Sequence, residues 1–418
     1  HFEKMLYDQG LLAKAYLEAY QLTGYKDFMM TAKNTLDYVI NYMQDSKGGF
    51  YTAEDADSLD VKTNHSSEGA FYVWSEEEID RILNVDEANI FKFIFGVNSQ
   101  GNANYDPHGE FINKNILSQV KTLQEASEAL HLSFQVIEES LENSKKKLLK
   151  VRDSRPKPSL DDKVLTDWNG LMISVLAQAA VILRDDKYLQ AANKAADFIL
   201  ENSTKDGRLL HSWCHDKAQV NGLLDDYVYF INGLIDLYEI SLKENVLQEA
   251  LKLAKNLDKF EDFENGGFYL TEVNSDDLII RPKEIYDGAM PSGNSLAAYV
   301  LIRVYYLTSD HRWLERFEKL FKNFAQTIEK MPSAYSFALT AFDFYLGQHV
   351  KISIEGKMDE MIHQETNRII LKYYIPNKTI SRVSTEGAFK VNLCLNNTCL
   401  PPINDLKEFE LKLLQTQE

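Results

Sequence analysis

The sequence predicts a mainly-α fold: an α/α toroid of helical hairpins over residues 1–347, then a small α/β appendage over 348–418. Three observations predict it. Helical periodicity dominates the first part. A unit of helix, short turn, helix and glycine–aromatic loop recurs along it. From about residue 348 the pattern changes to alternating strands around a helix.

The elements follow in order. Residues 2–23 place Leu11, Leu12, Ala15, Tyr16, Ala19 and Leu22 on one helical face, and a second helix follows the turn at Gly24 over 26–43. The loop GGFY (48–51) closes that hairpin. TDWNGLMISVLAQAAVIL (166–183) opens the next, with its partner KYLQAANKAADFILEN and the turn DGRLLHSW (206–213). LDDYVYFINGLIDLYEIS (224–241) opens another, which ends in a second GGFY at 266–269. PSGNSLAAYVLIRVYYLT (291–308) and PSAYSFALTAFDFYLG (332–347) begin two more. Each first helix starts polar or aromatic and continues small and apolar, while its partner carries more charge. That asymmetry predicts an inner ring of apolar helices within an outer amphipathic ring.

Asn169–Gly170 and Asn232–Gly233 have hairpin-turn chemistry, but the helical pattern runs through them, so they read as close-packing points between helices. Residues 65–120 are less regular. They contain a glycine–aromatic strand at 69–74 and a capping box from Ser75 to Glu78. Residues 122–152 read as two helices with Ser133 as a cap, followed by the proline-bearing loop 154–160. In the appendage, HVKISIEG, NKTISRVS and FKVNLCLN read as strands, MDEMIHQETNRIILKYY and NDLKEFELKLLQ as helices.

The bulk properties limit the function. A chain of 418 residues corresponds to two or three domains, or to one large toroid. A net charge of −18 argues against nucleic acid and anionic membranes, which require a basic footprint. The basic run Lys145, Lys146, Lys147, Lys150 and Arg152 reads as a solvated helix face. The 22 Tyr, 22 Phe and 4 Trp suit a polyol ligand and equally a large helical core. Three cysteines are too few for a disulfide framework. Cys394 and Cys399 match neither a redox C-x-x-C nor half of a zinc pair, so a reduced, cytoplasmic setting is expected. No apolar run reaches the ~18 residues of a membrane span. The sequence starts at His1 inside a motif and reads as a piece of a longer chain.

Acid–aromatic clusters recur at one place in the repeat: Glu54/Asp55/Asp57 after GGFY, Asp167/Trp168, Asp225/Asp226/Tyr227, and Glu284/Tyr286/Asp287. Glu3, Tyr7 and Asp8 open the first helix. In a toroid these face one end of the cavity, where paired carboxylates serve acid–base work or glycoside cleavage and aromatics stack on a sugar ring. The alternative is structural. An Asp at a helix start is commonly an N-cap contributing about 1 kcal/mol, and Asp225 and Asp226 fit that role. Glu54/Asp55/Asp57 also reads as an exposed loop, and its spacing departs from the calcium-loop template. His211 and His1 are acid–base candidates or structural histidines. The expected acids are Glu54, Asp55, Asp57, Glu284 and Asp287. The expected ligand contacts are Tyr7, Trp168, Asn169, His211, Asp226, Tyr227, Tyr286, Ser292 and Asn294. Without H-x-x-H or H-E-x-x-H pairing no metal is expected. Without a phosphate-cradling or dinucleotide glycine motif no cofactor is expected either. Ser292 in PSGNS lacks the G-x-S-x-G elbow of a triad nucleophile.

The segments HFEKMLYDQ, GGFYTAEDADS, EGAFYVW, DDKVLTDWNGLMI, DDYVYFINGLIDLYE, RPKE–DGAMPSGNS and CLNNTCLPPI resemble, in order, the family of bacterial YyaL-type proteins and animal spermatogenesis-associated protein 20. The resemblance implies an N-terminal thioredoxin-like domain joined to a six-hairpin toroid like those of N-acylglucosamine 2-epimerases and glycosidases. The thioredoxin-like domain is not in this sequence, so its redox chemistry does not carry over, and no match to the epimerases' catalytic histidines is found. The expected partner is a small-molecule substrate, a sugar, with a possible thioredoxin-like domain upstream. The alternative is a non-enzymatic module that binds a protein or peptide for such a domain.

Overall fold

The computed structural model describes residues 2–103, 106, 109–273, 279–396 and 398–416. The fold is mainly α, as the periodicity predicts. In chain order its α-helices are α1 (Leu6–Thr23), α2 (Lys26–Tyr42), α3 (Glu76–Ile82), α4 (Val85–Phe95), α5 (Leu123–Leu130), α6 (Phe134–Arg152), α7 (Thr166–Ile182), α8 (Asp186–Asn202), α9 (Leu224–Ser241), α10 (Glu244–Lys255), α11 (Gly293–Thr308), α12 (His311–Lys330), α13 (Ser336–Leu346), α14 (Glu360–Lys372) and α15 (Leu406–Gln415). None is long and apolar enough to cross a membrane.

The chain forms two compact units, one of residues 1–4 and 53–161, the other of 5–52 and 162–418. The first holds α3–α6 around Trp74, Ile79, Phe91, Ile94, Ile137 and Leu141. Capping boxes start α3, α4 and α5, from Ser75/Glu78, Asn84/Glu87 and Thr122/Glu125. Each box pairs amides that a helix start leaves without partners. Residues 69–72, expected as strand, are turn, and only Trp74 makes a bridge, to Asn115. The buried Asn115 side chain binds the carbonyls of Trp74 and Asn98 and the Asn98 amide, holding that turn by side-chain bonds.

The second unit contains the helical hairpins. α1, α7, α9, α11 and α13 pack in succession, and α2, α8, α10 and α12 back them, the two-layer arrangement of an α/α toroid. The central helices α7, α9 and α11 are buried over most of their surface, whereas α1, α13, α8, α10 and α12 bury one face. The two Asn-Gly pairs lie within α7 and α9 and are packing points. A Cβ on Gly170 would sit 2.5 Å from the Phe230 amide nitrogen, and one on Gly233 would sit 2.4 Å from the Gly170 carbonyl oxygen. In the second GGFY loop, Gly266 and Gly267 have φ of 88° and 77°, a left-handed conformation that glycine adopts without Cβ strain.

The C-terminal sheet has the order Lys378–Val383, Val350–Glu355, Lys390–Leu395, Thr398–Cys399, with the first pair parallel and the others antiparallel. Its core residues Ile352, Ile380 and Val391 belong to the same apolar cluster as Leu171 and Phe230 of the hairpins. The sheet and α14 close over the end of α9. Asn367 Nδ2 and His363 Nε2 both donate to the Ile240 carbonyl at 2.8 Å, the Ile380 amide donates to Glu239 Oε1 at 3.2 Å, and the Arg382 amide donates to the Tyr238 hydroxyl at 3.0 Å. These bonds supply partners for a carbonyl that the helix end leaves open. Cys394 and Cys399 face each other across the antiparallel register and form a disulfide. Motif spacing did not show that pair; the hairpin between the two cysteines makes them neighbours.

Candidate acid–base site at the helix starts

The starts of α7, α9 and α11 lie at one end of the inner row. α9 begins with two adjacent aspartates in different environments. Asp226, fully buried, accepts from the Leu223 amide at 2.7 Å, from the Asp167 amide at 3.2 Å, and lies 3.0 Å from His211 Nδ1. It is a cap, as an aspartate at a helix start usually is, and it also orients a histidine. Asp225 points the other way. Its Oδ1 is buried and meets no hydrogen-bond partner among the described residues. Burial, and then the charge of Asp226, push its carboxyl up to about 6.

Asp167 completes the cluster. Only 8% exposed, it accepts from the Trp168 amide at 2.8 Å. Burial and then the Asp226 carboxylate raise it well above the usual range. His211 comes from the strand Arg208–Cys214. Its hydrogen bond to Asp226 raises it above the ordinary histidine value, against the opposing effect of burial. One ligand atom each from Asp167, His211 and Asp226 lie within 4.8 Å of one another, a set that also suits a divalent ion. A second such set, Asp162, Cys214 and His215, lies at the turn after that strand and is largely exposed.

A cavity of about 400 Å³ opens beside the aspartates. Asp167, Asp225 and Glu284 line it, with Trp168, Tyr229 and Tyr286 as aromatic walls. Tyr7 packs edge-on against Trp168 with ring centroids 4.9 Å apart. Thus the structure brings Trp168, Glu284, Tyr286 and Asp225 to one cavity, with His211 and Asp226 behind Asp167.

The other expected residues have other partners. Asp287 accepts from the Ser292 amide at 2.9 Å and the Phe337 amide at 2.8 Å, tying the start of α11 to α13. Ser292 caps α11 through the Ser295 amide. Asn169 and Asn294 each clamp the backbone of a GGFY phenylalanine, Phe50 and Phe268, although Asn294 also borders the cavity. The buried Tyr227 accepts from the Leu209 amide through its hydroxyl at 3.1 Å. In the first unit, Glu54 accepts from the Tyr72 hydroxyl and pairs with Lys4 at 3.6 Å. Asp55 accepts from the Asp57 amide at 3.0 Å, and Asp57 lies exposed on a strand opposite Glu68. His1 lies outside the described residues.

Asp167 and Asp225 were legible only as members of acid–aromatic clusters. The further signal was their equal position at the starts of two successive inner helices.

No family model matches the chain. Human spermatogenesis-associated protein 20 is 31% identical over 447 residues, covering 97% of this chain and 57% of its own. The rat protein of that name is 32% identical over 404 residues, covering 91% of this chain and 51% of its own. The chain is a homologue of spermatogenesis-associated protein 20. It spans little more than half the length of these curated relatives. Among solved structures, a D-mannose isomerase shares 13% identity at a TM-score of 0.38, covering 78% of this chain and 75% of its own. A sugar epimerase from a ruminal bacterium shares 12% at 0.37, covering 77% and 76%. Likenesses this loose concern architecture alone.

Proposed function

We propose that the cavity at the helix starts binds a sugar and transfers protons to or from it. The observation that carries this reading is the pair Asp225 and Asp226: neighbours in sequence, one with its carboxyl raised to about 6 and an unpartnered oxygen, the other held by three donors. A carboxyl raised to about 6 beside a histidine raised by its carboxylate partner can divide acid and base roles near neutral pH. Asp225 is the exchanging group, and the His211–Asp226 pair is the second proton store. Trp168 and Tyr286 offer ring faces, and Glu284 offers a carboxylate for sugar hydroxyls. The reaction class is hydrolysis or epimerisation of a mono- or oligosaccharide. The Cys394–Cys399 disulfide removes the cysteine argument for a reduced, cytoplasmic setting, and we keep 1–347 and 348–418 as the two modules of this reading.

The test is a panel of mono- and oligosaccharides followed by NMR for turnover and by heat stability for binding. Turnover that falls at least about 100-fold in Asp225→Asn supports the reading. No turnover, together with no stability gain from any sugar, would sink it. One observation favours a second reading, a protein- or peptide-binding module. Both oxygens of Asp287, an expected catalytic acid, are taken by backbone amides. On that reading Asp225→Asn leaves every measurable function intact.

A further inference from the structure

A second cavity, of about 320 Å³, lies further along the same inner helices, toward their C-terminal ends. Small-molecule sites typically begin at roughly 300 Å³. Tyr229 and Pro291 line both cavities, and the Tyr229 hydroxyl donates to the Pro291 carbonyl at 2.7 Å, a bond at the border between them. The C-terminal segment contributes Tyr374, Ile375 and Lys378 to the wall.

One side of this cavity is a buried ion network. Arg303, 2% exposed, lies 2.8 Å from Asp236 Oδ1 and 2.9 Å from Glu239 Oε2, and donates to Asn232 Oδ1 at 2.8 Å. These bonds leave its Nε buried without a partner among the described residues. The opposite side differs. Lys14 and Glu18 of α1 line the cavity half-buried, and among the described residues neither charged end meets a hydrogen-bond or ion-pair partner. They lie one helical turn apart, a spacing that brings side chains within about 6 Å, yet they form no ion pair with each other. The Glu18 charge acts on Tyr299, Tyr374 and Lys378, so these groups converge on one space. Neither the Tyr299 nor the Tyr374 hydroxyl is engaged by another described residue. Leu11, Leu171, Leu296 and Phe337 complete the wall with apolar surface.

Open charges of both signs, close together beside an apolar wall, fit one ligand chemistry. We propose that this inner cavity binds a small zwitterion, an α-amino acid with an apolar side chain. Lys14 takes its carboxylate, and Glu18, with the Tyr299 and Tyr374 hydroxyls, takes its ammonium. The side chain lies against Leu171 and Phe337. A neutral polyol would leave Lys14 without a bound counter-charge and Glu18 with only the influence of Lys378, whereas a zwitterion supplies an opposite charge to each.

The experiment is calorimetric titration and thermal shift of the full chain with L-leucine and L-phenylalanine. L-leucinamide lacks the carboxylate, 4-methylpentanoate lacks the ammonium, and D-mannose is the polyol control. The expected result is a saturable rise in Tm of at least about 2 °C with an amino acid at concentrations well above Kd. It is absent with the two truncated analogues, and binding weakens about tenfold or more in each of Lys14→Met and Glu18→Gln. Asp225→Asn, which disables the outer cavity, leaves this binding in place and so separates the two sites. No binding of either amino acid, equal binding of leucinamide or 4-methylpentanoate, a response to mannose instead, or a response that survives both substitutions overturns the proposal.

Discussion

Asn169 holds the peptide groups of Phe50 from both sides: the Phe50 amide donates to Asn169 Oδ1 at 2.7 Å, and Asn169 Nδ2 donates back to the Phe50 carbonyl at 3.0 Å. Asn294 does the same for Phe268, at 2.8 Å in each direction. The asparagine of an inner helix thus fixes the glycine–aromatic loop before it. All four backbone groups lie where water does not reach. Asn169→Ala or Asn294→Ala leaves a buried amide and a buried carbonyl unpaired, at about 1–3 kcal/mol for each group. Urea unfolding is expected to show a loss of roughly 2–5 kcal/mol for either variant. A loss below about 0.5 kcal/mol in both, within the range of an ordinary surface change, removes the clamp from the account.

That clamp marks how far the sequence could be read. The two GGFY copies and the hairpin periodicity were visible because they are local patterns that repeat. The partner of Phe50 was not visible, since it lies 119 residues away and shares no local pattern with it. Asn169 and Asn294 therefore read as ligand contacts, as polar residues at the rim of an expected cavity do. The capping role of Asp226 was legible from its place at a helix start. The raised carboxyl of Asp225 was not, because it depends on burial and on the fold around it. The bond between Cys394 and Cys399 needed the strand register.

Gly170 and Gly233 make a reciprocal contact between α7 and α9. A methyl group at either position would lie 2.4–2.5 Å from backbone atoms of the facing helix, which cannot rotate away as a side chain can. Gly170→Ala and Gly233→Ala are each expected to lower stability by about 1–3 kcal/mol, although alanine is the better helix former. Thermal unfolding of the two variants checks this. An increase in Tm for either would show that the helices are not in close contact there.

Asp225 makes stability depend on pH in a defined direction. Its folded-state value of about 6 lies above the ordinary carboxylate value of 3.8. Below 3.8 the group is protonated in both states and has no effect. Between 3.8 and 6 the folded state binds the extra proton, so stability falls as pH rises, and above 6 the full cost remains. Asp225→Asn removes this dependence. The variant is expected to gain roughly 1–3 kcal/mol on the wild type at pH 8, and to match it near pH 3. Denaturant titrations at the two pH values measure the difference, and an equal offset at both would mean that Asp225 is not the titrating group.

His211 gives the same pH trend, in a higher window, from the same cluster. Its hydrogen bond to Asp226 raises it above 6.5 in the folded state. The stability this supplies is fully present below 6.5 and is lost as pH rises through the folded value. In Asp226→Asn the anion that favours imidazolium is gone, while burial of the ring remains, so the His211 midpoint is expected to fall to or below 6.5. The same substitution removes the charge that helps keep Asp167 protonated, so Asp167 is expected to ionise at lower pH than in the wild type. NMR titration of the histidine ring and of the aspartate side-chain carbons follows both groups at once. If the two midpoints move as stated, Asp226 is the charge that organises the site; a His211 midpoint unchanged by the substitution would show that Asp226 is not what raises it, since burial acts in the other direction.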